Sequence, residues 1–183
     1  MKDERYPIGK FLFTQDVTEE LRETWIEEIE SLPTILKNAV HSLTDEQLDT
    51  PYRDGGWTVR QVVHHIADSH MNAYTRFKLA LTEEHPTIKT YNEKQWALLS
   101  DSMEGSIQSS ICILEGLHER WSTVLKSLPQ TEFSKTFYNP EMKIKLNLDM
   151  VLALYAWHGK HHVAHITSLC EKMNWMKHNR EIV

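Results

Sequence analysis

Four stretches of this chain repeat their apolar residues at the period of an α-helix, about 3.6 residues, and that repetition confines it to an all-α architecture. The first starts near Thr18, where Thr-Glu-Glu-Leu places acids in the opening turn, and carries Leu21, Trp25, Ile26, Ile29, Leu32, Ile35, Leu36 and Val40 in phase. Pro33 lies inside it, which predicts a kink or a break. The second opens at Thr58, with Gln61 at capping-box spacing, and runs to about Leu81 behind Val59, Val62, Val63, Ile66, Ala73, Tyr74 and Phe77. The third fits Ser106–Leu128, with Ile107, Ile111, Leu114, Leu117, Trp121 and Val124 on one side. Asn147 is a good N-cap for the last, roughly Leu148–Met173.

Between these runs lie turn signals. Thr50-Pro51-Tyr52-Arg53-Asp54-Gly55-Gly56 is a strong turn segment, and Pro7 and Gly9 keep residues 1–16 irregular. Phe137–Pro140 followed by Lys143–Leu146 predicts a small hairpin or an extended loop. Residues 82–105 form a long connection with a short helix around Glu93–Leu99. With no repeat, no low-complexity tract and no Gly-rich phosphate loop, the pattern predicts one four-helix-bundle domain over residues 1–183. The long second connection exceeds what a tight antiparallel hairpin needs, so a crossover is permitted.

Charge and composition exclude some functions. The net charge of −6 argues against nucleic acid and anionic membrane surfaces, both of which call for a basic patch. No apolar run approaches the ~20 residues of a membrane span, and MKDERYPIGKF lacks the apolar core of a secretory signal, so a cytoplasmic location is expected. Cys112 and Cys170 lack CxxC spacing and sit in apolar helical patterns, which predicts two buried thiols.

Seven of eleven histidines fall in two clusters: His64, His65 and His70, then His158, His161, His162 and His165. His158 and His162 are one turn apart and about 40° around the helix, so their imidazoles can meet at one point. They share the core-facing stripe with Val151, Tyr155, His165, Ile166, Leu169 and Met173. Buried imidazoles need partners, and a shared transition metal is one. The second helix offers a third ligand in His64 or His65, and phase with Val62, Ile66 and Ser69 modestly favours His65. Three neutral imidazoles leave coordination positions open, as in catalytic sites, and a nitrogen-rich set suits zinc or nickel over calcium or magnesium. His161 and His165 read as core or partly exposed histidines, with a supporting or proton-shuttling role as the alternative; His41, His85, His118 and His178 read as surface residues. Asp68 is a candidate to orient an imidazole, or a surface or capping residue. The Tyr52–Trp57 segment reads as a structural turn, with anion binding by Arg53 as the sharper alternative. No HExxH glutamate is present to act as a base.

The run Pro51–His70, with Trp57-Thr58-Val59-Arg60-Gln61 leading to a histidine, and the run Tyr155–Ile166 with its HxxxH, resemble the YfiT branch of the DinB superfamily. The likeness extends to Tyr6-Pro7-Ile8-Gly9. It implies an up-down-down-up four-helix bundle that dimerises, with one zinc or nickel ion per subunit on three histidines. Carried over by position, these are His65 (eight residues after Trp57), His158 and His162. The family contains proteins described as metal-dependent hydrolases and relatives that are thiol S-transferases using low-molecular-weight thiols such as bacillithiol. Fold does not choose between them. The missing HExxH glutamate tilts the expectation to the transferase, which needs the metal mainly to lower a thiol pKa. A hydrolase activating water, and a non-enzymatic metal-binding stress protein, are the alternatives. The catalytic residues are not assigned by the sequence, and the expected partner is a small-molecule substrate.

Overall fold

A computed structural model describes residues 3–13 and 16–175 of the chain. His178 lies outside the described residues. The elements are α1 (Glu19–Val40), α2 (Asp45–Leu48), α3 (Val59–Thr82), α4 (Glu93–Trp96), α5 (Ser100–Glu104), α6 (Ile107–Ser127), a 3-10 turn (Gln130–Ser134), β1 (Thr136–Asn139), β2 (Ile144–Asn147) and α7 (Leu148–Lys172). Each long helix begins where its capping side chain lies. Thr18 accepts from the Leu21 amide, Thr58 and Gln61 close a capping box, Ser106 accepts from Gln108, and Asn147 accepts from Met150. The segment after Asn139 is an antiparallel hairpin, with Thr136 opposite Asn147 and Asn139 opposite Ile144. The turn before α3 is closed by pairing of Pro51 with Thr58 and bends at Gly55, whose φ of 63° favours glycine.

Side-chain pairs give the direction of every helix. Arg22 grips Asp149 at 2.6 Å and Lys160 meets Glu28, so α1 and α7 run parallel. Lys126 with Glu30 and Lys37 with Glu115 make α1 and α6 antiparallel. His64 on Ser110 and Phe77 against Trp121 make α3 and α6 parallel. His65 against His162 and Arg76 against Tyr155 make α3 and α7 antiparallel. The order is therefore up-down-down-up. Helices α1 and α3 lie diagonally across the bundle, as do α6 and α7, and the long connection carries the crossover.

The apolar core comes in two parts. One gathers Ile26, Ile29, Phe77, Trp121, Phe137 and Leu152 toward the hairpin. The other gathers Leu36, Val62, Ile66, Leu114, Ile166 and Leu169 at the opposite end. Between them lies a layer of buried imidazoles, described below. Helix α7 sits close on α1 because Gly159 has no side chain: a Cβ there would lie 2.5 Å from a Leu32 methyl.

Helix α1 continues through Pro33 without a break. Proline removes the N–H that would bond to the carbonyl of Ile29. That carbonyl instead accepts from His118 Nδ1 of α6 at 2.5 Å. His118 is thus fully buried rather than on the surface, since it falls on the core stripe between Leu114 and Trp121. Cys112 is exposed, one step off that stripe, whereas Cys170 is buried as expected. Ile35 also turns outward. No helix among the described residues is long and apolar enough to cross a membrane.

Candidate metal centre

Helices α3 and α7 cross antiparallel at the imidazole layer, and the crossing brings together His65, His158 and His162. One ring nitrogen from each lies within 4.8 Å of the others, and this is the one such group of three among the described residues. His65 Nε2 faces His158 Nε2 at 3.3 Å. Two ligand nitrogens about 2.0–2.1 Å from a tetrahedral ion lie about 3.3 Å apart, so the spacing fits a transition metal. Burial drives the imidazoles of all three residues to the neutral form, with His65 pushed down to about 4 and His158 and His162 held well below the usual imidazole range by burial first and by neighbouring histidines second. Neutral imidazole is the form that ligates. His162 Nδ1 is buried without a protein partner. Donor type, spacing and charge state all fit one divalent transition ion.

His64 takes no part. It turns toward α6, where its Nδ1 is 2.7 Å from Ser110 Oγ and its Nε2 is 3.2 Å from the Gly105 carbonyl. The Nε2–H donates to the carbonyl, and Nδ1 accepts from the serine. The choice between adjacent histidines thus follows from the ~100° between successive residues on a helix.

Behind His158 runs a second file of imidazoles. His70 Nε2 sits 3.3 Å from His158 Nδ1, and its ring stacks on His118 with centroids 5.0 Å apart. For His158 to offer Nε2 as a lone pair, its Nδ1–H donates to His70. His118 in turn is anchored on Ile29. Outward along α7, His161 stacks on Trp157 and His165 on Tyr52, with His165 Nε2 3.3 Å from the Arg5 carbonyl. Both are buried and outside the three-histidine group. Trp57 packs on His65 at 4.7 Å, so the turn before α3 is a wall of the site. Asp68 is half-buried on α3, outside the group, its carboxyl pushed up to about 6 by burial first and Asp101 second.

A cavity of about 770 Å³ opens on His158. Its floor includes Ser69, Arg76, Tyr91 and Tyr155, and the hairpin and α4 form its rim. Sequence reasoning missed most of this. His118 lay on the core stripe and was legible as such; Arg76, Tyr91 and Tyr155 converge from three elements, and no spacing in the sequence brings them together.

The DinB superfamily model matches residues 28–166. Relatives from Bacillus cereus (strain ATCC 10987 / NRS 248) and Bacillus mycoides (strain KBAB4) are each 55% identical over 175 residues, which is 96% of this chain and all of theirs; both bear the name "Putative metal-dependent hydrolase". The solved structure of YfiT from Bacillus subtilis, described as a probable metal-dependent hydrolase with an unusual four-helix bundle topology, superposes with a TM-score of 0.92 at 50% identity, over 94% of this chain and 99% of that one. TT2238, a four-helix bundle protein, shares the fold at a TM-score of 0.56 and 18% identity, over 80% of this chain and 98% of that one.

Proposed function

The chain belongs to the DinB superfamily, and from that membership and its three-histidine group we propose an enzyme that transfers a thiol to a small electrophile. The observation that carries this reading is the meeting of the histidine group with the cavity: His158 belongs to both. His65, His158 and His162 would hold one zinc or nickel ion. When bound, such an ion supplies Lewis acidity, lowering the pKa of a thiol or a water beside it.

The protein's own residues supply position. His70 and His118 hold the His158 ring. Trp57 and the turn before α3 close one side of the group against water. Ser69, Tyr155 and Arg76 line the cavity and orient the substrate there. In the reaction the thiol gives its proton to solvent, its sulfur bonds to the electrophilic carbon, and the leaving group departs with the electron pair of the broken bond. That sequence demands little proton handling, and among the described residues no carboxylate joins the histidine group.

Hydrolysis, the activity for which the relatives are named, is the second reading. Its support is the name those relatives carry; Asp68 belongs neither to the cavity lining nor to the histidine group. A site that serves only to staple the bundle would not border a cavity of this size.

The test loads purified protein with zinc or nickel and follows free thiol with a panel of natural thiols and electrophiles, beside an ester and amide panel. Metal-dependent thiol consumption is expected. Ester or amide cleavage with no thiol consumed would overturn the transferase reading in favour of the hydrolase.

A further inference from the structure

The cavity contains a guanidinium that no carboxylate among the described residues reaches within ion-pairing distance. The other part-buried arginines whose guanidinium meets acid, Arg22 and Arg60, each hold a carboxylate at 2.6 Å. Arg76 of α3 holds none within ion-pairing distance among the described residues. Its Nε is buried without an acceptor, and its nearest polar contact is Tyr155 Oη at 3.4 Å, a long contact to a neutral oxygen. A half-buried guanidinium left this way costs stability unless a ligand completes it.

Tyr155 points to the same ligand. Its oxygen lies 3.4 Å from both the Arg76 guanidinium and Ser69 Oγ, long contacts that leave its O–H able to turn to an anion in the cavity that all three residues line. The tyrosine lies less than one turn before His158 on α7, their rings 5.5 Å apart. An anion held by Arg76 and Tyr155 therefore sits a few bonds from an atom that meets the histidine group. The cavity lining holds Arg76 and Lys94 against Glu93 and Glu141, a balance that suits one added negative charge better than two. Glu93 and Glu141 on the rim repel a dianion, and a guanidinium fork matches the two oxygens of a carboxylate.

We propose that Arg76 and Tyr155 form a carboxylate-binding subsite, so the substrate carries a carboxylate a short chain away from the group that meets the three histidines. This rests on reading the cavity as the substrate site.

The test uses protein loaded with cobalt(II) and titrated with ω-mercapto acids of two to four carbons, each beside the alkanethiol lacking the carboxylate, with thiolate-to-cobalt absorption as readout. At the best-matched length the acid binds tenfold or more tightly than its alkanethiol. Arg76→Gln abolishes that ratio, and Arg76→Lys keeps part of it. A ratio near one at every length, an unchanged ratio in R76Q, or tighter binding of a mercaptoalkyl phosphate would overturn the proposal. A second arm works without metal. The Arg76 Nε–H resonance, assigned by its loss in R76K, shifts with butyrate and not with butyramide. If no thiol perturbs the cobalt spectrum while butyrate shifts that resonance, the thiol reading falls and the carboxylate subsite stands. If butyrate leaves the resonance unmoved, the subsite falls whatever the thiols do.

Discussion

His118 donates to a carbonyl that Pro33 has orphaned, and this pairing across α1 and α6 can be measured. Replacing His118 by leucine keeps most of the volume but removes the donor. The Ile29 carbonyl then lies buried without a partner, at a cost of about 1–3 kcal/mol. Replacing Pro33 by alanine returns a backbone N–H to the position four residues after Ile29. In the native background that N–H adds a second donor to an oxygen already served. In the His118→Leu background it rescues one that has none. The two substitutions should therefore couple by about 1–2 kcal/mol, with the double variant more stable than the sum of the singles. Loss of the stacking between His118 and His70 occurs in both His118→Leu proteins and cancels in the cycle. The measurement is urea unfolding of the four proteins followed by far-UV circular dichroism. Additivity to within about 0.3–0.5 kcal/mol would refute the claim that His118 stands in for the missing proline donor.

Acid should unfold the metal-free protein early. Burial holds His65 and His118 down to about 4, so the native state refuses protons that the unfolded chain binds from about pH 6.5 downward. Stability is fully present above that pH and falls on the order of 3 kcal/mol for each as pH drops to 4; a flat urea midpoint from pH 7 to 5 would contradict this. Replacing His65, His158 or His162 by alanine should strip bound metal, while His64→Ala should retain it, as read by metal content after dialysis. His70→Ala should weaken metal binding about 10–100-fold by freeing the His158 ring, and competition with a chromophoric chelator checks it. Gly159→Ala gains helix propensity yet should destabilise by about 1 kcal/mol, because its methyl meets Leu32; a raised melting temperature would show that α1 and α7 have slack.

The four helices were legible because their caps and apolar stripes are local. Thr58 with Gln61 and Asn147 fixed two starts to the residue. The capping pair Thr44 and Gln47 marked α2 equally well and passed unread. The meeting of His158 and His162 was legible for the same reason, since a helix dictates where residues four apart point. His118 has the residue type of a surface position but the phase of a core one, and the orphan carbonyl implied by Pro33 calls for a donor from another helix. Cys112 shows the converse: flanking isoleucines made it look buried, but one step off the stripe is enough to face water. Helix pairing and the cavity were not legible. Both depend on which faces meet across the bundle, and α1 with α3 and α6 with α7 end up diagonal despite being consecutive long helices.

The imidazole layer divides the apolar core into halves, and this constrains folding as well as chemistry. Sliding α7 by one turn against α3 would still bury apolar side chains on apolar side chains within either half. It would also carry His158 and His162 about 5.4 Å into an aliphatic neighbourhood, stranding each at about 1–3 kcal/mol. The residues that would hold the metal thereby act as a registration mark, telling two interchangeable greasy surfaces which alignment is native.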